Sequence, residues 1–156
     1  MNAWIAKWNV KDAVRPGVEH DWATALAKHL PIRSFGQAEG KDGRKLGNIA
    51  VHDRVICYQS DRKHIVGLCK VLEVDSQAGD PFVVLGRLHR FMRPRLRVEL
   101  IALNPELADL PAFKPGNVST FRNLAWDDMV LILRACGLSE HEIAKLVDDE
   151  ARTVEV

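Results

Sequence analysis

The chain has 156 residues, and 47% of them are hydrophobic. A chain of this length can bury a substantial core without disulfide bonds or a structural metal ion. Its 22 basic and 21 acidic side chains leave a formal net charge of +1, so the overall charge does not single out a nucleic-acid partner. No apolar run approaches the roughly 18 residues of a membrane span, and the first ten residues lack the apolar core of a signal peptide. Three cysteines without CxxC spacing indicate reduced thiols, so we expect a cytoplasmic protein without membrane contact.

The charge is distributed unevenly along the chain. Residues 1–103 carry 17 basic and 11 acidic side chains, a balance of +6, whereas residues 104–156 carry 5 basic and 10 acidic ones, a balance of −5. This asymmetry predicts one basic and one acidic end of the molecule.

The first third of the chain is predicted to hold a strand, a helix and a long loop. Residues 3–10 alternate as a strand does, and residues 19–30 show helical spacing that includes Trp22 and ends before Pro31. Residues 33–48 contain four glycines and four basic residues, with little apolar periodicity. Arg44 and Lys45 in this loop are candidate phosphate contacts, although a solvated loop explains them equally well.

A hairpin at residues 51–74 is the most ordered pattern in the sequence. Apolar runs at 54–59 and 65–74 flank the polar residues 60–64, and Gly67 in the second run indicates a bulge or a close approach. Strict alternation would place Val55 and Cys57 on one face, with Ile56 and Tyr58 on the other. In the second run it would place Ile65, Cys69 and Val71 against Val66, Leu68 and Leu72. Both faces are apolar, so both require cover.

The most basic segment follows this hairpin. Residues 75–81 are turn-rich, residues 82–88 are predicted to form a strand, and residues 97–103 are predicted to form another. From the first of these strands to the start of the second there are five arginines within eleven residues, which we consider candidate phosphate contacts: Arg87, Arg90, Arg93, Arg95 and Arg97. The alternative is a strand edge that charge protects from aggregation.

Two helices are predicted near the carboxyl end. The first covers 126–136 and ends at Gly137, and the second begins after a capping box of Ser139 and Glu142, with Leu138 and Ile143 spaced as a hydrophobic staple. The pair resembles a helix-turn-helix, so a DNA-binding regulator is one alternative. The second helix is acidic, however, and would repel phosphates, which favours a packing role.

No catalytic or metal-binding motif is present. The six histidines show no HExxH pattern, and the sequence contains no G-x-S-x-G elbow, P-loop or GxGxxG. We therefore expect a binding module without a cofactor and not an enzyme. A small nucleic-acid-processing enzyme remains the third hypothesis.

Several segments resemble the EVE domain, a member of the PUA-like superfamily related to YTH domains. Residues 53–60 (DRVICYQS) match that family's GDxVxxYxS strand, residues 65–67 match its partner strand, and residues 104–110 followed by Trp126 resemble its closing segment. The similarity covers nearly the whole chain. It departs at His52, where the family has glycine, and at Trp8-Asn9, where Ser-Glu-Pro is usual, and both departures lie at the mouth of the implied pocket.

The resemblance implies an α+β fold, a PUA-like mixed β-barrel flanked by helices. It implies a single domain over residues 1–156, with a helix pair at 125–150 packed on the barrel. It also implies a nucleic-acid-binding module that accepts one flipped, modified (methylated) base in an aromatic pocket, in DNA or RNA. By order along the chain, this pocket is expected to contain Lys7, Trp8, Asn9, Trp22, Ser60 and Phe82. Because no nuclease or ATPase domain accompanies the module, any cutting of modified DNA would require a separate effector nuclease or ATPase.

Overall fold

A computed structural model describes most of the chain. The described residues are 1–8, 22–32, 49–59, 62–75, 82–110, 113 and 121–148. For residues 8, 22–24, 90–96, 121 and 148 the structure describes the backbone and not the side chain. The predicted loop at 33–48 lies outside the described residues.

The described chain contains five strands and four α-helices. In order they are β1 (Ala3–Trp8), α1 (Trp22–Ala27), β2 (Arg54–Gln59), β3 (His64–Asp75), β4 (Phe82–Leu96), α2 (Arg97–Leu103), a 3₁₀ helix (Pro105–Asp109), β5 (Phe121–Leu124), α3 (Trp126–Ala135) and α4 (Glu140–Asp148). The longest described helix has ten residues, so none of the described helices is long enough to cross a membrane.

The strands form one sheet in the order β4-β3-β2-β1-β5. β1 runs parallel to β2, and the connection between them includes α1, whereas the other neighbours are antiparallel. In the described strands β4 and β5 are the two edges, and no pairing closes the sheet between them.

β2 lies at the centre of the sheet, and all six of its residues are buried. Ile56 and Tyr58 belong to a cluster that includes the buried residues of α2, α3 and α4. Val55 and Cys57 belong to a second cluster with Ala25 and Leu26 of α1. We call these two sides of the sheet the α3–α4 face and the α1 face. The prediction that both faces of the hairpin require cover is confirmed.

A bulge in β3 changes the predicted arrangement of the hairpin. Cys57 pairs with Gly67 and Tyr58 pairs with Ile65, which leaves Val66 as an extra residue. The extra residue shifts the alternation, so Ile65 lies on the α3–α4 face with Leu68, while Cys69 and Val71 lie on the α1 face. The prediction that placed Ile65 with Cys69 was therefore wrong.

Gly67 marks this bulge and also a close approach of two strands. A Cβ atom at Gly67 would lie 3.1 Å from the carbonyl oxygen of His89 on β4. Both of the predicted explanations for this glycine are confirmed.

The segment 97–103 is a helix, where the sequence predicted a strand. A strand would bury residues 98, 100 and 102 together, but only Leu100 is buried, and Val98 is 68% exposed. Glu99, Leu100 and Leu103 are good helix formers, and one buried position in seven suits a short helix lying against the core. β4 also runs on to Leu96, so the arginine segment is a strand up to the start of α2.

The carboxyl-terminal helix pair forms as predicted. Gly137 follows α3 with φ of 93°, the left-handed conformation that glycine allows. The capping box is reciprocal, because Ser139 N–H donates to Glu142 Oε1 and Glu142 N–H donates to Ser139 Oγ, both at 3.1 Å. Leu138 and Ile143 are both buried. The side that α4 exposes carries Glu140 and Glu142, as expected of a helix that packs on the protein and does not enter DNA.

Candidate nucleic-acid interface

A cationic site lies on the α3–α4 face, where the parallel strands β1 and β2 end. Lys7 on β1 pairs with Tyr58 on β2, and the Lys7 Nζ atom lies 5.7 Å from the centroid of the Tyr58 ring. That distance allows a cation–π interaction. Tyr58 in turn packs against Phe113 of the core, with ring centroids 5.7 Å apart and a 57° angle between the planes. The tyrosine therefore forms a fixed wall beside the lysine.

Two arginines complete this site from other elements. Arg122 on β5 pairs with Ile5 of β1, two residues before Lys7 and on the same face. Arg97 begins α2, its backbone N–H donates to the Lys63 carbonyl at 2.9 Å, and its guanidinium hydrogen-bonds the Tyr58 side chain. We call Lys7, Arg97 and Arg122 the cation cluster.

Positive charge dominates the described surroundings of the cation cluster. Partial burial, followed by the nearby positive charges of Arg122 and Arg97, lowers the pKa of Lys7 to about 8. Within the described chain, no carboxylate is among the groups that set this pKa. The Nε atoms of Arg97 and Arg122 are buried and donate to no described residue. Buried donors without acceptors are costly, so this arrangement favours an anion that accepts from them.

Tyr58 does not supply the missing negative charge. Burial raises the pKa of its hydroxyl, against the smaller opposing effect of Arg97, so the side chain is a neutral phenol at neutral pH. The site therefore offers positive charge beside a buried, uncharged aromatic ring, a combination that suits a phosphate group.

The two ends of the predicted arginine strip lie on opposite faces of the sheet. Arg87 pairs with Cys69, and its side chain comes within 3.9 Å of where a Gly67 Cβ would lie, which places it on the α1 face. Arg97 lies on the opposite face, beside Tyr58. Like Arg97, Arg87 has a buried Nε atom without a described partner. For Arg90, Arg93 and Arg95 the structure describes the backbone of β4, and Arg44 and Lys45 lie outside the described residues.

The predicted base-pocket residues are spread over the sheet. Lys7 lies in the cation cluster, and the backbone of Trp8 follows it and pairs with Gln59. α1, which begins at Trp22, packs on the α1 face. Asn9 and Ser60 lie outside the described residues.

Phe82 is distant from this end of the sheet. Phe82 pairs with Asp75 at the end of β3, whereas Tyr58 pairs with Ile65 near the start of β3. These two positions on β3 are ten residues apart, which is roughly 30 Å at about 3.3 Å per residue. The structure thus groups Lys7 and Arg97 with Tyr58 and Arg122. The sequence analysis did not choose these last two as site residues. Phe82 does not lie near this group.

Metal ligands do not cluster in the described part of the chain. No group of three His, Cys, Asp or Glu side chains there is placed to hold a metal ion. Cys57 and Cys69 are both reduced and buried, with 3.5 Å between their sulfur atoms. Both thiols pack on the α1 face, and burial raises the pKa of the Cys57 thiol above its ordinary value.

Several solved structures share this fold. No protein-family model matches the sequence, and no curated protein matches it. A protein from Rhodopseudomonas palustris is similar with a TM-score of 0.68 and 19% identity over 90% of this chain and 97% of that one. A protein from Agrobacterium tumefaciens is similar with a TM-score of 0.66 and 14% identity over 90% and 96%. Human THYN1, solved in complex with DNA containing 5-methylcytosine, is similar with a TM-score of 0.63 and 13% identity over 89% and 99%.

The DUF55 domain of human thymocyte nuclear protein 1 has the same fold. Its TM-score is 0.60, at 13% identity over 88% of this chain and 99% of that domain. The α+β, PUA-like fold that the resemblance implied is confirmed, but in the described strands the sheet stays open between β4 and β5 and is not closed into the implied barrel. At these identities the likeness establishes the fold alone.

Proposed function

We propose that this chain is an EVE-like module that binds nucleic acid through the cation cluster. The observation that supports the proposal is the convergence of Lys7, Arg97 and Arg122 beside Tyr58, with two buried Nε donors unpartnered among the described residues. Phosphate groups satisfy such donors and restore the charge balance. The DNA complex of THYN1, which has the same fold, makes nucleic acid the reasonable class of partner.

We further propose that the module recognises a modified base flipped out of its strand. Trp8 and Trp22 are the proposed aromatic walls, and Asn9 and Ser60 the proposed polar contacts at the pocket mouth. Stacking on an aromatic side chain contributes roughly 1–3 kcal/mol per base, and unstacking a base costs a few kcal/mol. Flipping is therefore nearly balanced until phosphate contacts are added, and this is the contribution that we assign to the cation cluster.

We propose that the module is not itself catalytic. The sequence contains no nucleophile and base that can be paired from their spacing. Cleavage of modified nucleic acid, where it takes place, would be the work of a separate nuclease or ATPase.

Fluorescence anisotropy with a panel of oligonucleotides tests this proposal. The panel contains single- and double-stranded DNA and RNA, each unmodified or with 5-methylcytosine, at low salt. We expect binding that is tighter to a modified member, and we expect Trp22→Ala to weaken it by about 10-fold because one stacking surface is lost.

Trp126→Ala is the matched control for that variant. Trp126 lies near the start of β1, where its indole N–H donates to the Met1 carbonyl at 3.3 Å, at the end of the strand opposite Lys7. Its loss should leave the affinity unchanged. Failure of every oligonucleotide to bind, or wild-type affinity in Trp22→Ala, would contradict the pocket.

A further inference from the structure

We propose that the cation cluster is a site for one terminal phosphate, a phosphomonoester carried by a mononucleotide or by the end of an oligonucleotide. The inference rests on the proposed function, because it names the part of a nucleic acid that reaches this site. It goes further in distinguishing a chain end from a phosphodiester within a chain.

The charge of the site matches a phosphomonoester better than a phosphodiester. Three cationic side chains converge from β1, α2 and β5, and their mutual repulsion acts on Lys7. A phosphodiester brings one negative charge, whereas a phosphomonoester brings about 1.5 to 2 at neutral pH. The ligand with the greater charge relieves more of the repulsion that the cluster carries when it is empty.

The donors also suit a group with several free oxygens. The Lys7 ammonium has three N–H donors, and the Nε atoms of Arg97 and Arg122 are buried and without acceptors among the described residues. A terminal phosphate presents three free oxygens, and an internal phosphodiester presents two and continues in both directions.

Among the described residues that act on Lys7, no other group titrates near neutral pH. Tyr58 faces it from β2 as a neutral phenol, and Arg122 from β5 and Arg97 from α2 stay charged. On the other side of Tyr58 from Lys7, the paired residue on β3 is the apolar Ile65. Lys7 is therefore the group of the cluster whose charge changes in a measurable range, with a pKa of about 8.

This arrangement predicts a bell-shaped dependence of phosphate affinity on pH. A bound dianion favours protonated Lys7, so affinity should fall above about pH 8, by up to roughly 10-fold per unit, as free Lys7 loses its proton. Affinity should also fall below about pH 6, because the phosphomonoester takes up a proton there. A phosphodiester lacks that second ionisation and would show only the fall at high pH.

Calorimetric titration at pH 7 tests the proposal with ligands that distinguish a free phosphate, a mononucleotide and the end of an oligonucleotide. The ligands are inorganic phosphate, adenosine monophosphate, and one oligonucleotide carrying a 5′-phosphate, a 3′-phosphate or hydroxyls at both ends. We expect one phosphorylated end to raise oligonucleotide affinity by about 10-fold or more over the hydroxyl form, in the range of hydrogen bonds to charged groups. Adenosine monophosphate should bind at the same site.

Arg122→Gln should remove the preference for the phosphorylated end. Arg134→Gln, which removes one positive charge from the exposed surface of α3, should keep it. Lys7→Gln serves as the second variant where circular dichroism shows that Arg122→Gln does not fold. It should remove the preference and flatten the fall of affinity above pH 8.

The outcomes separate this inference from the proposed function. Tight binding of the oligonucleotide with equal affinity for phosphorylated and hydroxyl ends overturns the terminal-phosphate site and leaves nucleic-acid binding in place. Binding of phosphate and adenosine monophosphate that depends on Arg122, without oligonucleotide binding, supports the site and overturns the nucleic-acid proposal. Failure of every ligand to bind overturns both.

Discussion

Replacing Asp53 by alanine is expected to lower the free energy of unfolding by about 3–5 kcal/mol, the largest effect of any single change considered. Asp53 is 1% exposed and precedes β2. Its Oδ1 accepts the Asn2 N–H at 2.7 Å, and its Oδ2 accepts the Trp4 indole N–H at 2.9 Å and the Ala50 N–H at 3.0 Å. Alanine leaves all three donors without this acceptor and leaves a cavity beside the buried Trp4 ring. Urea denaturation measures the loss.

Asp109→Ala is the control for Asp53. Asp109 is an exposed aspartate at the end of the 3₁₀ helix, so its loss should change stability by less than about 0.5 kcal/mol. If Asp53→Ala were no more destabilising than Asp109→Ala, the start of β1 and the start of β2 would not be held together by this carboxylate.

Replacing Arg54 by methionine is expected to cost about 3 kcal/mol. The Arg54 side chain is fully buried, its Nε donates to the Leu146 carbonyl at 2.8 Å, and its Nη1 donates to the His52 carbonyl at 2.6 Å. Leu146 lies in the last turn of α4, where carbonyls lack partners within the helix and a positive charge is favourable. Methionine keeps the aliphatic bulk but supplies no donor, so two carbonyls lose their partner.

Arg134→Met controls for the same substitution on the surface. Arg134 forms a two-pronged ion pair with Glu140, Nε to Oε1 at 2.5 Å and Nη2 to Oε2 at 3.1 Å, but both side chains are more than half exposed. Exposed pairs contribute little, so thermal unfolding should change far less than in Arg54→Met. A variant Arg54→Met as stable as wild type would mean that burying the guanidinium costs as much as its hydrogen bonds contribute.

These two residues explain which parts of the fold could be predicted. The segment at 53–60 carried the family resemblance, and in the structure Asp53 and Arg54 join β1, β2 and α4 rather than perform chemistry. Apolar alternation placed Val55 to Tyr58 on the right faces, because β2 is regular. It failed at Ile65, because a single inserted residue reverses the alternation and leaves no mark in the pattern beyond the neighbouring Gly67.

The candidate site was harder to predict, because its residues come from four elements. Lys7 and Arg97 were selected from the sequence for other reasons, as a pocket residue and as part of an arginine strip. Tyr58 was part of the resemblance but was assigned only to one of the two apolar faces of the hairpin. Arg122 was missed because the four-residue strand Phe121–Leu124 is too short to show a period, and only its pairing with β1 places the arginine beside Lys7.

The arginine strip also shows that closeness in sequence does not determine which side chains lie together. Five arginines close together in sequence suggested one phosphate track, but alternation along β4 and a register shift between Leu68 and Cys69 send Arg87 to the α1 face. The two ends of this sequence cluster therefore lie on opposite faces, whereas the cation cluster brings together residues that are distant in sequence.

The salt dependence of oligonucleotide binding tests most directly whether nucleic acid binds at the cation cluster. Each phosphate contact contributes a slope of about −0.9 to the logarithm of affinity against the logarithm of salt concentration for duplex DNA. Arg122→Gln is predicted to weaken binding by about 10-fold or more and to make the slope shallower by about 1, whereas Arg134→Gln, with the same change in net charge, leaves both unchanged. Equal slopes and affinities for wild type and Arg122→Gln, or equal losses in the two variants, would contradict the account.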